Sequence, residues 1–130
     1  MNYTRAAAQE SPLFDPTGFD NLVGVAGVEA VINLAGVFET EARKRLDRID
    51  EAVTNADITA IEHETHALGS SAGTFGAQRI HILSRAAEAA SVAGDLDLAV
   101  SLCGDILAIA DESLGLAMAY ITTLSEADTA

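Results

Sequence analysis

The chain has 130 residues and a mass of 13.5 kDa, the length of one domain, with 20 acidic residues against 7 basic ones and a formal net charge of -13. That balance excludes nucleic acid and anionic lipid as partners, since either needs a basic face. A single cysteine, Cys103, excludes an intramolecular disulfide and a Cys-rich zinc module, and 49% hydrophobic residues exclude an acidic disordered tail. No apolar run approaches the roughly 18 residues of a membrane span. Residues 1–18 carry no apolar secretory segment, so the expectation is a soluble, cytoplasmic domain. About a fifth of the residues are alanine, 2 are proline and 5% are aromatic, which favours helix over sheet.

Residues 1–16, punctuated by Pro12 and Pro16, read as a flexible arm. A short helix over 17–25 follows, with Thr17 as its N-cap and Phe19, Leu22 and Val23 inward. Gly24 and Gly27 break it. The first long helix covers about 28–53, with Val28, Val31, Ile32, Ala35, Phe38, Ala42, Leu46, Ile49 and Val53 in steps of three and four on one face. Asp57 caps the next, about 58–74, with Ile61, Leu68, Ala72 and Phe75 inward. After a turn at Gly76, a third covers about 77–92, seamed by Ile80, Leu83, Ala87 and Ala90. Gly94 closes it and Asp95 opens the last helix, about 96–124. Residues 125–130 read as a frayed tail.

Short links between long helices force antiparallel neighbours. The expected fold is all-α: an antiparallel up-down-up-down four-helix bundle over 17–124, with a short N-terminal capping helix.

The segment His63-Glu64-Thr65-His66-Ala67-Leu68-Gly69-Ser70-Ser71-Ala72-Gly73 carries the chemistry. At 100° per residue His66 lies about 160° from core-facing Leu68, so it faces solvent. The positions that cover its outer surface, Gly69 and Ser70, are tiny, as is Gly73 one turn on. Two helix-interior glycines cost about 0.5–1 kcal/mol each. Either two helices pack closely through them, or a partner protein must come right up to the histidine. By residue type, His63, His66, Glu62 and His81 make a zinc site conceivable, but no fourth ligand or supporting shell is evident and no metal is expected.

His66-x-Leu68, Ser71-Ala72 and Phe75-Gly76-Ala77, at this spacing, resemble the histidine-containing phosphotransfer (HPt) family. So do the long preceding helix with central Phe38, Asp57 at the head of the histidine helix, and the later Ala86, Ala87 and Glu88. The resemblance spans about 19–124. It implies a phosphocarrier, with no ATPase or kinase activity of its own, that accepts a phosphoryl group on His66 from a receiver-domain aspartate and passes it to another receiver. The implied partners are response-regulator receivers and a hybrid histidine kinase. No cofactor is implied beyond the Mg²⁺ that a receiver brings. Gly69-Ser70-Ser71-Ala72-Gly73 is followed by no lysine and sits mid-helix, so it is no nucleotide loop. Docking would use His66, Gly69, Ser70 and Gly73, with Leu22 or Val23, and a monomer is expected.

Where the family usually has Lys then Gly, three and four residues after the histidine, this chain has Gly69 and Ser70. Counting outward from the turns places Arg45 and Arg85 level with His66. Arg45, Arg48 or Arg85 is therefore expected to supply the missing positive charge. Ordinary pairing within one helix, such as Glu41 with Arg45, is the competing reading. The functional alternative is a helical module that binds a receiver or kinase without carrying phosphate.

Overall fold

The helices end where side chains or glycine satisfy the last backbone groups. Six are seen in a computed structural model that describes residues 3–129: α1 (Arg5–Glu10), α2 (Thr17–Ala26), α3 (Val28–Thr54), α4 (Ile58–Phe75), α5 (Gln78–Val92) and α6 (Leu96–Thr129). No strand occurs among the described residues. The Asp57 carboxylate accepts from the Ala60 N–H, and that of Asp95 from the Leu98 N–H, as N-caps do. Gly27 (φ 89°) separates α2 from α3, and Gly76 (φ 83°) closes α4 in the left-handed region. A Cβ on Gly76 would also meet the Asp15 carbonyl oxygen at 2.0 Å, so only glycine fits there.

The face expected on α3 is the one buried: Val31, Ala35, Phe38, Ala42, Leu46 and Ile49, joined by Ala52. Hiding an Ile, Leu or Phe contributes about 1.5–3 kcal/mol. Helix propensities differ by less than about 1 kcal/mol per residue, so the seams hold the bundle together. Each of α3, α4 and α5 packs against the next long helix in sequence, and α6 also packs against α3. Phe19 of α2 is fully buried between Val31 and Ala35 of α3 and Ala117 and Ile121 of α6. Its ring also meets those of Phe14, Phe75 and Tyr120. Among the described residues no helix is long and apolar enough to cross a membrane.

Three local expectations change. Within the supposed flexible arm, Arg5–Glu10 is helical and packs on α5. The Arg79 guanidinium donates to the carbonyls of Ala8 (3.0 Å), Gln9 (3.3 Å) and Ser11 (2.7 and 3.0 Å), the end of α1. The Asp15 N–H reaches the Gly76 carbonyl at 2.7 Å, and Ser113 Oγ donates to that of Leu13 at 2.7 Å. Thr17 is not the cap of α2. Asp15 is the residue that accepts there, from the Thr17 N–H (2.9 Å) and hydroxyl (2.7 Å), bonds that lower its pKa. At the other end α6 continues through Thr129 instead of stopping at Leu124. Residues 1, 2 and 130 of the expected arm and tail lie outside the described residues.

Candidate functional site

Helix α4 buries Ile61, Glu64, Thr65, Leu68, Gly69 and Ala72. That arc leaves His66 on the opposite side, its side chain 62% exposed. Two residues of α5, one turn apart, flank it. The ring Nδ1 lies 2.6 Å from Glu88 Oε2. A carboxylate can only accept, so this contact puts a proton on Nδ1, and in the neutral ring the lone pair then lies on Nε2. The other carboxylate oxygen, Oε1, accepts from Arg85 Nη1 at 3.0 Å.

Arg85 runs between the two helices. Its Nη1 is 3.4 Å from His66 Nδ1 and 3.5 Å from the His66 carbonyl, and its Nη2 donates to Ser70 Oγ at 3.0 Å. Ser70 Oγ in turn donates to the His66 carbonyl at 3.1 Å. Of the three arginines expected near the histidine, Arg85 is the one brought there. Arg45 and Arg48 turn to the other flank of α4, where Nη1 of each lies 3.0 and 4.0 Å from the Glu64 carboxylate. The pairing of Arg45 with Glu41 is also absent from the contacts seen: Lys44 is Glu41's partner, at 3.8 Å.

The small residues beside His66 serve packing between helices. Gly69 is buried, and a Cβ there would come within 3.2 Å of Ser84 Cβ and 3.4 Å of Arg85 Cζ and Nε. A Cβ on Gly73 would meet the His81 ring at 2.8 Å. Ser70 is exposed, whereas Leu22 and Val23 are half-buried against the Phe19 cluster. The open approach to His66 therefore comes from its own projection and from Ser70. The expected smooth patch of Gly69 and Gly73 is largely occupied by α5.

His81 belongs to this packing. It is half-buried, with Nδ1 2.7 Å from the Gly69 carbonyl and its ring edge-on to Tyr3. Among the described residues no three His, Cys, Asp or Glu side chains are placed to hold a metal ion. Cys103 is fully buried, which pushes its thiol up to about 11, away from any reactive thiolate.

Sequence reasoning recorded Glu88 only as part of a pattern and missed its contact with His66. The signal was present, because the count that placed Arg85 level with His66 places Glu88 one turn further along the same face. Glu64 was missed as the buried partner of two arginines.

A family model described as Hpt domain matches residues 33–124. Comparison with curated proteins and with solved structures gives no significant match. Taking in well over half of the chain, and with it His66, Arg85 and Glu88, the matched segment makes this chain a member of the Hpt domain family, whose members serve histidine phosphotransfer in phosphorelays and interact with receiver domains and kinases.

Proposed function

We propose that the chain accepts a phosphoryl group on Nε2 of His66 from the aspartyl phosphate of one receiver domain and passes it to the aspartate of another. The observation that carries this reading is the 2.6 Å contact of His66 Nδ1 with Glu88. It fixes the tautomer whose outward nitrogen is the nucleophile, on a side chain that solvent and a partner can reach. In the forward step the Nε2 lone pair forms the bond to phosphorus. The bond from phosphorus to the aspartyl oxygen breaks, and the carboxylate departs with the electron pair. The positive charge gained by the ring is shared through Nδ1–H with Glu88. Mg²⁺ comes with the receiver, whose acidic pocket positions the transferred group.

Glu88 is a positioning residue in this scheme. Ser70 lies on the docking face, with Gly69 and Gly73 beneath it letting α5 approach α4. Arg45 and Arg48 act on stability through Glu64. The phosphocarrier has no nucleotide chemistry of its own, and a hybrid kinase supplies the phosphoryl group through its receiver. We place it in the cytoplasm as a monomer.

The scaffold of this reading is an up-down-up-down bundle of α3 to α6. Across α3 and α4, Phe38 meets Phe75 while Arg45 meets Glu64, so one helix runs forward as the other runs back. Gly69 under Arg85 with Gly73 under His81 supports the same sense for α4 and α5. Arg43 with Asp111, and Val31 with Ile121, support it for α3 and α6.

Incubation with a phosphorylated receiver and Mg²⁺ tests the proposal. The expected result is acid-labile, base-stable label on the chain, abolished in a folded His66→Gln variant. Wild-type protein that binds the receiver yet takes no label would establish the non-catalytic module instead.

A further inference from the structure

A phosphoryl group on Nε2 brings about two negative charges to a ring already touching the Glu88 carboxylate, in a chain of net charge -13. Six of the seven cations are engaged elsewhere. Arg5 meets Asp105, Arg43 meets Asp111, Lys44 meets Glu41, Arg45 and Arg48 meet Glu64, and Arg79 meets the end of α1. The seventh, Arg85, touches His66 itself.

Its contacts divide into two kinds. Those to Ser70 and Glu88 are ordinary hydrogen bonds at 3.0 Å. Toward the histidine it makes only a long, weak bond to the His66 carbonyl at 3.5 Å, and its approach to Nδ1 at 3.4 Å sets donor beside donor, since Nδ1 gives its proton to Glu88. The guanidinium is thus parked beside the ring and bound to its neighbours. Its parking place lies over Gly69, where a Cβ would crowd Ser84 Cβ at 3.2 Å and just reach contact with Cζ and Nε at 3.4 Å, so that any longer side chain would run into the guanidinium.

We propose that Arg85 is the cation of the phosphorylated state: once Nε2 carries phosphoryl, the guanidinium exchanges the Ser70 hydroxyl for phosphoryl oxygens while keeping Glu88, and Gly69 leaves it the room that a longer side chain would take. Charge-assisted bonds from a guanidinium to phosphoryl oxygens outcompete neutral ones to a hydroxyl. The proposal rests on His66 as phosphoacceptor. It also carries a steric corollary. The residue three after His66 on its own helix is the other place from which a cation could reach the group. Positions 69 and 85 are therefore alternatives, and filling one in the presence of the other crowds both.

The test uses potassium phosphoramidate, which needs no receiver, on the full chain in a His63→Gln background. The Nε2 lone pair forms the new bond as the P–N bond of the donor breaks, and ammonia leaves from the donor's protonated amine while the ring keeps its Nδ1 proton, hydrogen-bonded to Glu88. Phosphorus NMR then follows the titration of the phosphoryl group on His66. A cation within bonding range favours the dianion. The titration midpoint should therefore rise by about half a unit or more in Arg85→Gln. Arg85→Lys should bring back most of the shift, as should the double variant Arg85→Gln/Gly69→Lys. Equal midpoints in the parent and in a folded Arg85→Gln overturn the proposal. So does a shift that neither cation restores, or a His66 that takes no phosphoryl from the small donor. Normal results here alongside no labelling by a phosphorylated receiver would sink the relay reading and leave the role of Arg85 standing.

Discussion

Helix α4 carries a carboxylate–arginine cluster on each flank, and the two differ in what they leave open. On the α3 side, Glu64 is 11% exposed at its side chain and is surrounded by Arg45 and Arg48. Its charge is consumed within the fold. On the α5 side, Glu88 gives one oxygen to Arg85 and the other to a histidine that stands out in solvent. Its charge is spent on holding a reactive ring in one tautomer. The same residue types therefore fasten two helices on one flank and prepare a nucleophile on the other. What decides is which groups water and a partner can reach.

Two variants, read by three measurements, can break or sharpen that contrast. Glu88→Ala should slow phosphoryl uptake at His66 by at least ~10-fold, as loss of a group that orients and stabilises a nucleophilic ring does. Its thermal stability should fall less than that of Glu64→Ala, because Glu88 is more than twice as exposed as Glu64 (24% against 11%) and one of its two partners, His66, stands in solvent. Uptake at the parent rate would remove the distinction between the flanks. Glu64→Ala should do the reverse. Breaking a pair this sheltered costs up to 3–5 kcal/mol when fully buried, and with Arg45 still 25% exposed we expect about 1–3 kcal/mol. Chemical denaturation would show that loss, while phosphoryl uptake stays within about twofold. A rate loss comparable to that of Glu88→Ala would mean that Glu64 also serves the histidine.

The smallest effect is read at Cys103, whose thiol is held near 11 by burial and so provides little thiolate at pH 8. Alkylation should be very slow in the parent and in Glu88→Ala. It should speed up in Glu64→Ala, in proportion to the extra population of opened molecules. Equal alkylation in both variants would place the two carboxylates on the same structural footing.

Much of this was legible in the sequence. The period of apolar residues on α3 named its buried face almost residue for residue, because burial on one side of a helix imposes that period. The angle between His66 and Leu68 gave the histidine's exposure for the same reason. Counting from the turns found Arg85, since antiparallel neighbours rise at equal rates. The same count did not decide between Arg45 turning to His66 and to Glu64, because side-chain direction depends on what is buried opposite. Gly69 and Gly73 allow two readings in the sequence, a close helix contact or an open face for a partner, and the first is what is seen: Ser84, Arg85 and His81 fill the space from α5. The helix α1 was invisible for a related reason. Six residues have too little propensity to announce themselves, and the donors that hold α1 sit about 70 positions away, on Arg79.

That last tie has a practical side. The family match begins at residue 33, yet α1 and α2 both precede it. Residues inside the match are built to serve them: Arg79 points its guanidinium at the end of α1, Gly76 gives its carbonyl to Asp15, and the space between α3 and α6 is shaped for Phe19. A chain trimmed to the matched span would keep His66 and lose its folding partners, leaving a hole and a set of stranded donors. The span shared with the family model is thus shorter than the packed unit of this chain.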